Sequence, residues 1–329
     1  MNKSPIDMNY EELDNLLDNF LKNEKLPSTI PYRSEDIDYT RRSKIPILLK
    51  AFYRLMKAEL FYQSYIKKQL SPLKNEQNMF KILKETKCIR ALKVYLYLSK
   101  VGLNDLLIKL GGRFDDKIFT NFAITTMLYD ASFDVKKFRP YLRDFDAFIM
   151  QAKPVEPVDE YLTLFNNTLN YLQKRLDSTT FENFFHYVRI EHICQLMSIY
   201  QLSDKKISKD DLLKITFVKG GISGLALMYI MVPNLTREQG VAIYELGSVL
   251  QLIDDISDIN EDINGGIHTL PNQKLLNYNE LKQMYCGTIN NLIEKLNIDP
   301  IKPNASLDML CWFSDSMLER RYRPYFDSL

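Results

Sequence analysis

The chain has 329 residues, 46% hydrophobic and 26% charged, and its 43 Lys and Arg against 42 Asp and Glu leave a formal net charge of +1. That is the mixture of a globular chain with a large core, which excludes disorder. The near-neutral balance also argues against nucleic acid held by an overall basic field, so no nucleic-acid partner is expected.

Only 11 Gly and 13 Pro are present, few for an all-β or α/β protein in which most turns use one. Long helices are favoured. Residues 1–45 read as a polar N-terminal extension, with an amphipathic run from Tyr10 to Leu21 and then the turn-prone KLPSTIPYRS. Its acidic residues stand where a signal peptide needs an apolar run. From residue 46 to 329 the chain reads as one domain whose segments repeat apolar residues at i, i+3, i+4 and i+7. The first stripe is Leu48, Leu49, Phe52, Leu55, Met56 and Leu60. Others follow at Cys88–Ser99, Leu103–Leu110, Ile118–Tyr129, Tyr141–Met150, Tyr161–Leu176, Phe181–Tyr200, Leu212–Val218, Gly221–Val232, Arg237–Ile259, Tyr278–Leu296 and Leu307–Arg321. Breakers stand between them, at Gly111-Gly112, Pro154–Pro157, Ser203–Lys209, Pro233-Asn234, Gly265-Gly266 and Pro300–Pro303. No repeat and no linker long enough to divide two cores is visible. The expectation is one all-α domain of about ten to twelve helices.

Four scattered cysteines form no CxxC pair, and with three histidines they offer no zinc spacing. His186 and His192 read as structural. Gly220–Thr236, the longest uncharged stretch, is interrupted by Pro233 and too short to span a bilayer. A cytoplasmic protein with no transmembrane segment is expected, with a homodimer as one open assembly.

The chemistry is concentrated in 244-YELGSVLQLIDDISDINEDINGGIHTLP-271. Read as a helix ending before Gly265-Gly266, it sets Asp254, Asp258 and Asp262 at i, i+4 and i+8, a carboxylate stripe on one face. Asp255 flanks the stripe and Gln251 lies one turn ahead. No Lys or Arg falls between Ser248 and Asn264 to make i, i+4 pairs, and the other positions are largely apolar. Clustered, mostly buried carboxylates cost several kcal/mol each unless paired or metal-bound. An all-oxygen set suits Mg²⁺, which takes one or two carboxylates together with water and phosphate oxygens. A second pair, Asp130 and Asp134, closes an apolar helix, where a carboxylate faces the negative end of the helix dipole unless a cation lies beyond it. Asp144 and Asp146, beside Arg139 and Arg143, read instead as a solvated ion-pair face.

These residues resemble the Asp-rich motifs of class I isoprenoid synthases, most closely the squalene/phytoene synthase branch. The resemblance is carried by Leu246-Gly247, Gln251, Asp258-Ile259-Asn260-Glu261-Asp262, Gly266 and Leu270-Pro271, with Gly221-Ile222-Ser223-Gly224-Leu225 on the preceding helix. Gln251, Asp254, Asp255 and Asp258 are also similar to the second motif of chain-elongating synthases. Asp130-x-x-x-Asp134 is similar to the first motif of the superfamily and of bacterial large terpene synthases. Departures are the missing doubled aspartate in the first motif, the absence of the Asn-Ser-Glu triad and of squalene synthase's reductive features, and Lys219 where the phytoene branch is apolar.

The resemblance implies an isoprenoid synthase-type helical bundle around a central apolar cavity. It implies Mg²⁺ as cofactor, three ions with bound diphosphate, held by Asp130, Asp134, Asp254, Asp255, Asp258 and Asp262. It makes a linear prenyl diphosphate the small-molecule partner. Candidate substrate-binding residues are Arg189, Gln251 and the C-terminal Arg320, Arg321 and Tyr322. A helix interrupted at Gly220-Gly221 would turn carbonyls toward the cation, although glycines there would equally serve close helix packing. The expected activity is that of a terpene synthase. Head-to-head prenyl transfer, chain elongation and a catalytically silent helical scaffold are the alternatives.

Overall fold

Every regular element among the described residues is a helix, in keeping with the 3.6-residue periodicity of the chain. The computed structural model describes residues 3–30, 53, 56–57, 59–61, 100, 102–134, 136–202, 207–299 and 304–327. The stripes expected over Leu48–Leu60 and Cys88–Ser99 lie outside these, apart from Tyr53, Met56, Lys57 and residues 59–61, which are helical.

In chain order the α-helices are α1 (Tyr10–Glu24), α2 (Asn104–Lys109), α3 (Asp116–Asp134), α4 (Leu142–Gln151), α5 (Glu160–Arg175) and α6 (Ser178–Ser198). They continue with α7 (Lys209–Met231), α8 (Arg237–Ser257), α9 (Ile259–Gly265), α10 (Tyr278–Lys295), α11 (Ala305–Met317) and α12 (Arg323–Asp327). A 3₁₀ turn at Pro5–Asp7 precedes α1, and a π-helical turn at Leu318–Tyr322 joins α11 to α12. Helix starts follow local chemistry. Asn9 with Glu12, Thr236 with Gln239 and Asn277 with Glu280 form capping boxes, which satisfy amide groups the helix leaves open. Gly266, at a φ of 68°, closes α9 in the left-handed conformation that glycine adopts without steric cost.

The centre of the fold is α7. Apart from its first turn, Lys214 and Lys219 it is apolar on all sides, and by length and composition it could cross a membrane, but most of it is buried between α6 and α8. A helix of that kind in such a setting is a core helix. Four glycines bring α7 and α8 into backbone contact. A Cβ at Gly247 would stand 2.4 Å from the Gly220 carbonyl oxygen, one at Gly221 2.4 Å from the Tyr244 ring, and one at Gly224 3.2 Å from the Gly247 Cα. The expected interruption at Gly220-Gly221 is therefore not found. α7 runs through both residues, and they serve close packing against α8.

The N-terminal segment shares this core. Leu13, Leu17, Phe20 and Leu21 of α1 are buried in it, while Lys214 of α7 pairs with Asp14 at 2.5 Å and Asp18 at 2.6 Å. α3 and α5 are joined by a buried Thr125–Thr168 hydroxyl pair at 2.8 Å and by the Tyr161 hydroxyl donating to the Leu128 carbonyl. Aromatic rings fill the space between α3, α4, α5 and α6, with Phe138 on Tyr161 at 4.3 Å and Phe145 on Phe165 at 4.6 Å. Such offset pairs are ordinary core packing.

Candidate functional site

The carboxylate stripe spans a break in the helix. α8 ends at Ser257, Asp258 has φ −107° and ψ 8°, and α9 begins at Ile259, so the single helix expected through Asp262 is in fact two. The periodicity nonetheless survives. Asp258 N–H donates to the Asp254 carbonyl at 3.0 Å, and Asp262 N–H donates to the Asp258 carbonyl at 2.9 Å. These i to i−4 bonds keep the three aspartates in one row.

Asp254 is exposed at the surface, with protein packed around it on its other sides. Loss of hydration, then repulsion from Asp255 and Asp258, pushes its carboxyl up to about 7. Asp255 rises to about 6 through burial, although Gln251 Nε2 donates to it at 3.0 Å and Lys219 favours its charge. Thr216 of α7 also approaches Asp255, at 3.5 Å. Asp262 is pushed up to about 6 by burial and by repulsion from Asp258 and Asp254. Carboxylates raised by one another and by burial carry charge that their surroundings do not fully compensate, and a cation beside them would lower them again.

Asp130 of the first motif lies within electrostatic reach of this row. Asp130, in the last turn of α3, is among the charges that raise Asp254, and it also raises Glu191 of α6. Gln195 Nε2 of α6 donates to Asp130 Oδ1 at 2.6 Å. Asp134 is the last residue of α3, and its side chain lies outside the described residues. Two side chains not expected here belong to the cluster. Glu191 is pushed up to about 8 by burial, against the attraction of Lys219, and its Oε2 is sealed from solvent without a hydrogen-bond partner. Lys219 of α7 acts on Glu191, Asp254 and Asp255 together. A sequence signal for the first existed: Glu191 and Gln195 are one turn apart on the same helix.

The other candidates lie elsewhere. Gln251 is bound to Asp255, as above. Arg189 is exposed, donating to the Ile149 carbonyl of α4 at 3.3 Å and lying over Phe185, so the structure turns it toward α4. Tyr322 is fully buried and its hydroxyl donates to the Leu276 carbonyl, while Arg320 and Arg321 are exposed on the π-helical turn. Asp146 corrects the expectation of a solvated face. It is 3% exposed and bonded to His192 at 2.9 Å and to Ser4; burial raises its carboxyl, but these bonds outweigh burial and hold it below the usual range.

The donor set around Asp130, Asp254, Asp255, Asp258 and Asp262 is all oxygen, which fits Mg²⁺. Among the described residues no three His, Cys, Asp or Glu side chains converge on one point. Mg²⁺ bound with phosphate needs only one or two protein carboxylates, so pairs of aspartates suffice. Two surface recesses stand apart from the cluster, one of about 250 Å³ beside Tyr278 and Arg323, the other of about 440 Å³ beside Tyr187 and Tyr229. Neither is lined by the aspartates of the cluster. No family model matches the chain, and no curated protein or solved structure does either.

Proposed function

We propose that the protein is a Mg²⁺-dependent terpene synthase that ionises a linear prenyl diphosphate and lets the resulting carbocation cyclise or lose a proton. The observation that carries this reading is that Asp130, near the end of α3, acts electrostatically on Asp254, near the end of α8, with four helices between them in sequence. In this reading Asp130 and Asp134 hold Mg²⁺ from one side, and Asp254, Asp255, Asp258 and Asp262 hold it from the other. The ions supply positive charge to the departing diphosphate. The chain's own residues do the rest. Gln251 keeps Asp255 oriented, Lys219 adds a fixed positive charge beside the aspartates, and Arg320 and Arg321 are cations available from the C-terminal turn.

The test is incubation of the protein with C10 to C40 prenyl diphosphates and Mg²⁺, with mass spectrometry of the extract and measurement of released diphosphate. One diphosphate per product, with no need for NADPH, is expected. A product with twice the substrate's carbon count would replace this reading with head-to-head transfer. No turnover of any of these substrates would overturn it in favour of a silent scaffold.

A further inference from the structure

The last turn of α3 is gripped from α6 at two consecutive residues. The His192 Nδ1 atom lies 2.5 Å from the Tyr129 hydroxyl, and Gln195 Nε2 lies 2.6 Å from Asp130 Oδ1. Residues 192 and 195 are i and i+3 on one helix face. The Asp130 carboxylate can only accept, which turns the Gln195 NH₂ toward it; the Ser198 hydroxyl donates to the Gln195 backbone carbonyl at 2.7 Å and lies 3.2 Å from Oε1. The grip extends outward from His192. Its Nε2 lies 2.9 Å from Asp146 Oδ1, the Ile6 N–H donates to the same oxygen at 3.3 Å, and the Ser4 hydroxyl donates to Oδ2. With the carboxylate as acceptor, Nε2 carries the proton and Nδ1 accepts from Tyr129. Tyr129, His192, Asp146 and Gln195 are all buried, at 8%, 0%, 3% and 5% exposure.

A chain of hydrogen bonds this deep is costly if broken at any one point, so its members hold one another in a single arrangement. The residue that meets the aspartate is an amide. A Lys or Arg at position 195 would neutralise Asp130 and compete with a cation for it. A neutral donor orients the carboxylate without itself neutralising the charge. We propose that Gln195 and His192 are positioning residues for Asp130, and that the N-terminal turn at Pro5–Asp7 belongs to the same device by holding Asp146. The proposal rests on the metal reading of Asp130 given above.

The test uses the full chain with Mg²⁺ and inorganic diphosphate, and reads the rise in melting temperature as Mg²⁺ is titrated. Gln195→Met removes the donor at nearly constant volume. It is expected to melt within about 4 °C of wild type in EDTA, a cost of roughly one hydrogen bond. It should need about 10-fold more Mg²⁺ for the same ligand-induced rise, the scale of losing a group that orients a metal ligand. Tyr129→Phe, which cuts the grip without touching Asp130, should shift the titration in the same direction and serves if Gln195→Met does not fold. A wild-type Mg²⁺ titration in both variants would overturn the proposal while leaving the metal reading intact. No ligand-induced rise in wild type would overturn both.

Discussion

Asparagine at position 255 separates the stability of this protein from its proposed chemistry. The carboxyl of Asp255 is pushed from 3.8 up to about 6, chiefly by burial. A rise of about two units corresponds to about 3 kcal/mol of penalty carried by the ionised form in the fold. Because the folded pKa is raised, that penalty is absent below about pH 4, where the group is protonated in both states, and complete above about pH 6. Asp255→Asn stays neutral throughout. It keeps one acceptor oxygen where the carboxylate offers two, to Gln251 and Thr216, and the lost bond costs about 1 kcal/mol. The expected balance is a gain of about 1–2 kcal/mol at pH 8, a rise of roughly 1.5–3 °C in Tm for a chain of this length, changing to a small loss near pH 4. Thermal melts followed by circular dichroism in EDTA at pH 4.5, 6 and 8 make the measurement. With Mg²⁺ and diphosphate the order should reverse, since only wild type gains from the cation. A variant less stable than wild type at pH 8 in EDTA would mean that ionised Asp255 stabilises the fold, and the reasoning would be wrong.

The same sign applies to the whole cluster. Asp254 at about 7, Asp255 and Asp262 at about 6 and Glu191 at about 8 are all raised, so the metal-free protein should gain Tm as pH falls from 8 to 5; a fall over that window would contradict it. Gly247→Ala would drive a methyl group into the Gly220 carbonyl at 2.4 Å, and a loss of about 3 kcal/mol or more in denaturant titration is expected. Gly240→Ala, whose Cβ would meet Leu225 at 3.7 Å, should be neutral or gain up to about 1 kcal/mol from helix propensity, which makes it the control. Asp130→Ala and Asp258→Ala should each abolish turnover in the product assay while retaining a cooperative melt, and full activity in either removes that aspartate from the metal site. Arg320→Ala with Arg321→Ala should raise KM for the prenyl diphosphate and leave Tm unchanged, because both side chains are exposed; an unaltered KM would take the C-terminal turn out of the site.

What could be read along the chain is what depends on neighbours in sequence. Helix positions followed from apolar spacing, and the row of Asp254, Asp258 and Asp262 followed from the four-residue step, which survives the break at Asp258 because the i to i−4 bonds continue through it. What could not be read depends on partners far away in the chain. Asp146 has Arg143 and Asp144 beside it and looked solvated, yet its surroundings come from His192 on α6 and from Ser4 and Ile6 at the N-terminus. Arg189 was a candidate for substrate, but its contacts are the Ile149 carbonyl and the Phe185 ring. Glu191 stands two residues from Arg189, a spacing that puts the two on different helix faces, and the opposite charge that acts on it is Lys219, from α7.

The glycines show how such distant pairing shapes the candidate site. Gly220 and Gly221 carry the weakest helix propensity in α7 and by local rules invite an interruption. They are accommodated because Gly247, on the next helix, lets the two backbones meet, and the packing gained outweighs the conformational cost. That contact lies one residue after Lys219 and one turn before Gln251. Closing α7 onto α8 at this point carries Lys219 to Asp254 and Asp255, and Ser223 to Glu191. A side chain at any of the close-packed glycines would widen the gap just where one lysine faces several carboxylates. The small residues of the motif thus set the distance across which its charged residues act, and the same few positions govern both the packing of the core and the electrostatics of the aspartates.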